Sequence, residues 1–330
     1  MTANRDLKDI IRDRQIKTGE SYTTARAHVM RARSNLLSLL VEQPTPDSSP
    51  QRADAAVLKI NRQSARVRIL GEDGHLTFRS SEVLDVVPGH IVTLIIDKRW
   101  IWRGDPYASG MIENPRIDLE QLGLVPLPLD GGALEDLRSH YEPYRRPDPY
   151  APLWRKLTAK RRPAFEMDPI AWGLFPGADP EDNPTCDAAE LREAGDIEGA
   201  YDLLMDTLLK DLRCIDAHAH LGNLEFERQA KRAAVHYDMG IRIGELSLPP
   251  DFEGILSWGL IYNRPFLRCL HGYGLCQWRV GRLEEAERVF ERILSLNPND
   301  NQGVRFCWND VRQGRSWEET QERDDDRAAR

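Results

Sequence analysis

Three residues of types that bind divalent metals fall within five positions of the stretch CIDAHAHLGN: Asp216, His218 and His220, spelling D-x-H-x-H. Whether they can hold one ion depends on the element beneath them. The flanks, LLMDTLLKDL before and NLEFERQAKRAA after, read as helical. On a helix of about 3.6 residues per turn, positions two apart point about 200° away from each other. His218 and His220 therefore cannot share an ion, although residues at i and i+4 could. His218 is expected to be a packing or surface residue. Cys269, His271 and Cys276 fail the same test, because the two cysteines share a face and the histidine lies off it. No G-x-S-x-G, Walker loop, H-E-x-x-H or G-x-G-x-x-G occurs. Gly272 and Gly274 form a lone G-x-G inside a helical stretch. The chemistry expected is recognition rather than catalysis, with no metal and no cofactor.

The D-x-H-x-H spelling also resembles the metal-binding strand end of the amidohydrolase family, where it closes the first strand of a (β/α)₈ barrel. Such a barrel needs roughly 200 or more further residues. Here 110 follow His220, and their pattern is helical, so the resemblance is set aside.

A different periodicity organises this region. In HGYGLCQWRVGRLEEAERVFERILSLNPND, Gly274 is a small residue inside one helix and Gly281 ends it. Ala286, Phe290 and Leu294 then recur at four, and Leu296 with Pro298 closes a second helix. Upstream, Gly195 precedes Ala200 by five, as Gly281 precedes Ala286, and Gly222 precedes Ala234 by twelve, as Gly274 precedes Ala286. Ala200 to Ala234 is 34 residues, whereas Ala234 to Ala286 is 52, which puts an insertion of 18 near SLPPDFEGILSWGLIYNR. Gly314 and Arg315 echo Gly281 and Arg282, and Ser316 with Glu319 spells a capping box. This pattern over 185–320 resembles the tetratricopeptide repeat, two antiparallel helices in about 34 residues. Gln229 stands where a helix-ending glycine is expected, and the first unit lacks a full first helix.

The resemblance implies stacked helix pairs with a concave groove lined by the first helix of each pair. Carried onto this chain, the groove residues would be His220, Asn223 and Glu227 from one unit, Arg268, His271, Trp278 and Arg279 from the next, and Arg305 beyond. Arginine with asparagine would hold a peptide carboxylate through charge-assisted bonds, and Trp278 would be an anchor.

The remainder reads differently. Residues 1–43 have the spacing of a basic helical hairpin, with eight Lys/Arg against four Asp/Glu up to Ser34. A Pro- and Ser-rich linker covers 44–52. Residues 53–113 alternate with period two around the turn EDG, as expected of a small antiparallel β-barrel of the SH3 or OB kind. IVTLII at 91–96 is apolar on both faces and suits a central strand. Lys98, Arg99, Arg103 and Tyr107, near Trp100 and Trp102, are candidates for nucleic-acid contact. A barrel this small needs large side chains inside it, however, which assigns both tryptophans to its core. Residues 114–184 are Pro-rich, with a short helix expected over GALEDLRSHY at 132–141 and with Trp154, Phe165, Trp172 and Phe175 as anchors. A charged tail covers 321–330.

The fold class expected is thus α+β multidomain. The net charge of −8 resides in the part from Thr185 onward, with 19 Lys+Arg against 27 Asp+Glu, which argues against nucleic acid as the partner of the helical part. Five widely spaced cysteines and no C-x-x-C suit buried, reduced thiols. The N-terminus is charged where a signal peptide would be apolar, and no run approaches the length of a membrane span. The location expected is the cytoplasm. The function expected is a non-enzymatic scaffold that binds a protein or peptide in the groove. The second reading is a nucleic-acid-associated factor, using the N-terminal hairpin and barrel while the repeats recruit a protein.

Overall fold

The computed structural model describes residues 51–135, 148–168, 170 and 183–328, with side chains up to 323. The expected N-terminal hairpin, Trp172, Phe175 and most of GALEDLRSHY lie outside these residues.

Five strands form a closed barrel: β1 (Gln51–Asn61), β2 (Ser64–Ile69), β3 (Leu76–Arg79), β4 (His90–Trp102) and β5 (Asp105–Ile117). The order around it is β1-β2-β3-β5-β4, closing on β1. The strands were expected to be antiparallel throughout. The seam between β3 and β5 instead runs parallel, with Phe78 opposite Ala108. Alternation along β1 and β2 buries Val57, Ala65, Val67 and Ile69 inside, joined by Phe78 from β3 and Val92, Leu94 and Ile96 from β4.

The two tryptophans are not among them. The β4–β5 register shifts between Ile96 and Lys98, so Asp97 is an extra residue on β4. One inserted residue moves every later side chain to the opposite face. Ile96 points inward with Gly110, and after the bulge Arg99 takes the inward position opposite Ala108, which leaves Lys98, Trp100 and Trp102 outside. Trp102 is 46% exposed and Ile101 76% exposed. The interior is filled without them.

The described part of the Pro-rich segment carries more regular structure than expected of a connector. After the short helix α1 (Leu119–Leu122), β6 (Leu129–Glu135) pairs antiparallel with β7 (Arg162–Met167), and α2 (Ala151–Leu157) lies between them. The start of the expected helix at 132–141 is therefore strand, since Ala133 and Leu134 pair with Ala164 and Pro163. Trp154 is buried and Phe165 partly so. The insertion after residue 246 docks on this sheet. Ile255 exchanges backbone hydrogen bonds with Pro163 and Phe165 at 2.9 Å each. Arg162 donates to the carbonyls of Glu253, Gly254 and Ser295 at 2.7–2.8 Å.

The C-terminal part is a run of helical hairpins: α3 (Pro184–Glu193) with α4 (Ile197–Lys210), α5 (Ile215–Phe226) with α6 (Ala230–Leu246), and α7 (Arg264–Arg279) with α8 (Leu283–Leu296). They are followed by α9 (Val304–Arg312) and α10 (Trp317–Ala328). Gly281 adopts the left-handed conformation (φ +78°) that ends a helix without steric cost. Both halves of the capping box form, Ser316 N to Glu319 Oε2 at 2.8 Å and Glu319 N to Ser316 Oγ at 3.2 Å. The small residues sit at helix crossings. A Cβ on Gly222 would lie 2.4 Å from the Tyr237 ring, and one on Gly274 2.4 Å from the Phe290 ring.

The register at one repeat needs correction. Ala233, not Ala234, is fully buried, and it stands four after the N-cap Gln229, as Ala200 stands four after Asp196 and Ala286 four after Arg282. The spacings are therefore 33 and 53. Gln229 is the N-cap itself, and Arg228 occupies the glycine position.

Barrel and helices share one core. Val57, Phe78 and Leu94 belong to the same apolar cluster as Leu204, Met205, Leu208 and Leu221 of α4 and α5. Lys59 of β1 pairs with Asp206 of α4 at 2.5 Å, and Arg232 of α6 donates to the carbonyl of Leu84.

Candidate functional site on the first-helix face

D-x-H-x-H lies on α5, and its side chains diverge as a helix requires. His218 is fully buried, its Nε2 3.2 Å from the carbonyl oxygen of Leu212. His220 turns to the other face, its Nε2 3.7 Å from Asp216 Oδ2. Burial holds His220 below the ordinary histidine range, although Asp216 pulls the other way. Among the described residues, no group of three or more His, Cys, Asp or Glu is placed to hold a metal. Cys214, Cys269 and Cys276 are buried, and burial pushes their thiols up, that of Cys276 to about 12. Cys186 is exposed, contrary to expectation.

The resemblance assigned eight residues to a groove, and the structure gathers three of them. Asn223 of α5 with Arg268 and His271 of α7 line a cavity of about 210 Å³. Its wall is completed by Phe226, Tyr237, Gly272, Leu275 and Gln302. α5 and α7 are first helices of consecutive hairpins and pack side by side. Tyr237 comes through from the second layer, its hydroxyl donating to Asn223 Oδ1 at 2.7 Å. That bond fixes the amide orientation and leaves the Asn223 NH₂ as donor.

Two of the lining residues carry buried polar atoms that are unsatisfied. His271 Nε2 and Gln302 Oε1 are buried with no hydrogen-bond partner. Gln302 Nε2 lies 3.5 Å from His271 Nδ1. Burial lowers the His271 pKa to about 4, so the ring is neutral at pH 7. The cavity is thus lined by a neutral histidine and an amide, with the Arg268 guanidinium beside them. Arg268 Nη1 is 3.0 Å from Asp216 Oδ1, and its guanidinium lies 5.8 Å from the Trp258 ring centre. The insertion therefore contributes one wall of the Arg268 environment.

The other groove candidates are used internally. Trp278 is 3% exposed, donates from Nε1 to the carbonyl of Arg315 at 2.9 Å, and packs edge-on against Phe290 and Trp317. It is a core residue and not an exposed anchor. Arg279 caps the end of α5, donating to the carbonyls of Phe226 at 2.6 Å and Glu227 at 3.2 Å. Glu227 is the C-cap of α5, its carboxylate 3.8 Å from Arg279. Arg305 is bound to Asp300 at 2.8 Å. Like the Arg268–Asp216 pair, these pairings engage charges that a linear reading assigned to a ligand.

Phe226, Tyr237, Leu275 and Gln302 were not found from sequence. Leu275 follows from helical spacing with His271. Gln302 sits in a turn before α9, and only the fold brings it to His271. On the barrel, Lys98 and Tyr107 face outward, Arg103 is in the β4–β5 turn, and Arg99 lies on the inward row and reaches Glu72 at 3.5 Å.

No protein-family model matches the chain, and no curated protein matches it. No helix among the described residues is long and apolar enough to cross a membrane.

Proposed function

We propose that this chain is a non-enzymatic, cytoplasmic scaffold that takes an acidic side chain or a chain terminus of a protein partner into the cavity between α5 and α7. The observation that carries this is that His271 and Gln302, each with a buried polar atom that has no hydrogen-bond partner, line one small cavity together with Arg268. Leaving such atoms unsatisfied costs roughly 1–3 kcal/mol each, and a ligand that bonds both recovers that energy. A carboxylate accepts from His271 and Arg268, and an adjoining amide N–H donates to Gln302. Sites for whole small molecules are roughly 300–1,000 Å³. A cavity of about 210 Å³ suits one residue of a larger ligand. In this reading the helical part is a tetratricopeptide array, supported by the equivalent buried alanines and the glycine–aromatic crossings. The barrel is of the OB kind, supported by its five strands and single parallel seam.

An affinity pull-down from the source cell's lysate tests this, with wild type and the Arg268→Ala/His271→Ala variant side by side and a nuclease-treated arm. The expected outcome is a protein retained after nuclease and reduced at least tenfold on the variant. Equal recovery on both, or recovery of nucleic acid alone, would contradict the proposal.

A further inference from the structure

The bulge in β4 does more than empty the barrel core of tryptophan. It builds an outer surface whose composition differs from the rest of the chain. Pairing registers place Arg66, Thr77, Tyr107 and Trp100 in one row across β2, β3, β5 and β4. The neighbouring row is Ser64, Arg79, Ser109 and Lys98. The two rows carry three cations and two aromatic rings, and neither carries a carboxylate. In a chain with net charge −8, such a strip is complementary to an anion.

The rings are arranged as a stacking surface. Trp100 and Tyr107 lie with ring centres 5.6 Å apart and planes 19° apart, and Trp102 meets Tyr107 edge-on at 6.1 Å. The Arg79 guanidinium is 5.8 Å from the Trp100 ring centre and 5.7 Å from that of Tyr107. Arg103 covers Trp102 at 4.6 Å. Arg103 (φ +54°) and Gly104 (φ +89°) form the two-residue hairpin turn that projects Trp102. Arg79, Lys98 and Arg103 have no ion pair among the described residues; Asp97 stands at the bulge, and Asp105 opens β5 opposite Trp102, beyond the two rows.

We infer that this face of the barrel binds single-stranded nucleic acid. Bases expose flat rings that stack on tryptophan and tyrosine, and the phosphates between them meet Arg66, Arg79, Lys98 and Arg103. A duplex hides its base faces and could use the cations alone. A peptide ligand would need a sheet edge or a groove, and a closed barrel has no free edge. This site is separate from the α5–α7 cavity and stands whether or not that cavity binds a protein.

The test is fluorescence anisotropy of the full chain with a labelled 20-nucleotide oligo-dT and with a duplex of equal length, at 50 and 200 mM salt. The variants are Trp102→Ala/Arg103→Ala, both exposed at the hairpin, and Arg79→Ala. The expected result is single-strand binding at least tenfold tighter than duplex binding, weakening as salt rises. Each variant should lose about tenfold, in line with stacking on one ring, while Arg268→Ala remains as wild type. Trp102→Phe should recover most of the binding, which a merely structural role at the turn would not predict. No binding at 50 mM salt, equal affinity for the duplex, or unchanged affinity in both platform variants would overturn the inference.

Discussion

Stability should fall steeply as pH drops from 6.5 toward 4. Three histidines meet where the barrel rests on the helices: His90 at the start of β4, His218 on α5 and His236 on α6. The rings of His218 and His236 are 6.3 Å apart. All three side chains are buried, and His90 Nδ1, His218 Nδ1 and both ring nitrogens of His236 have no partner. Burial lowers the pKa of His90 and of His218 to about 4 and that of His236 well below its ordinary value. Like charge adds to this, since His218 faces His90, while His236 faces His218, Arg232 and His90. Arg232 is itself held by Glu225 at 3.1 Å. The unfolded chain, with ordinary histidines near 6.5, binds protons below that pH that the folded protein excludes. The contribution is therefore fully present above pH 6.5 and is lost as pH falls toward 4. A depression from 6.5 to about 4 corresponds to roughly 3 kcal/mol for each of His90 and His218. Asp300, whose pKa burial raises, works in the opposite sense. Urea midpoints at pH 7.5 and 4.5 check this. A large drop is expected in the wild type and a smaller one in His218→Gln/His236→Gln, whereas equal midpoints at the two pH values would refute it.

Replacing Gly110 should be the most damaging single change in the barrel. Its φ of +154° is one that side-chain-bearing residues rarely adopt, and a Cβ there would lie 1.8 Å from the carbonyl oxygen of Ile95. That oxygen is backbone and cannot swing aside. Gly110→Ala must open the β4–β5 ladder beside the bulge, at a cost of about 3 kcal/mol or more from strain and overpacking together. Gly104 is the control. It has positive φ (+89°) but open space around it, so Gly104→Ala should cost only about 1 kcal/mol. Thermal melts of both variants decide this, and a Gly110→Ala midpoint equal to that of Gly104→Ala would contradict it. Because the bulge sets the outward turn of Trp100 and Trp102, Gly110→Ala should also shift tryptophan emission.

These two features show where the sequence was legible and where it was not. Period-two alternation located β1 to β3 because their faces differ in burial. β5, DPYASGMIENPRI, lacks that alternation around Gly110 and was not seen as a strand. A bulge has no local signature in side-chain types, yet it reversed the assignment of two tryptophans. The helical hairpins were visible because Gly281, Gly195 and Gly314 mark helix ends and buried alanines recur. In the middle unit Arg228 takes the place of the marking glycine, and without that mark the register slipped by one onto Gln229. Asn223, Arg268 and His271 were found because first-helix spacing places them on one face. Arg279 and Trp278 share that spacing but are bound by the carbonyls of Phe226 and Arg315, partners whose proximity only the fold creates, while Arg305 is bound by Asp300, five residues before it.

The most direct test of the α5–α7 site is a photo-crosslinker placed at Leu275, on the cavity wall, in the source cell. Mass spectrometry of the crosslinked species then reports the residue that occupies the cavity. A crosslink to an acidic residue or a C-terminus of another protein, lost on adding Arg268→Ala, is the predicted result. Crosslinks only to this chain, or to a partner whose yield is unchanged by Arg268→Ala, would contradict a ligand seated between α5 and α7.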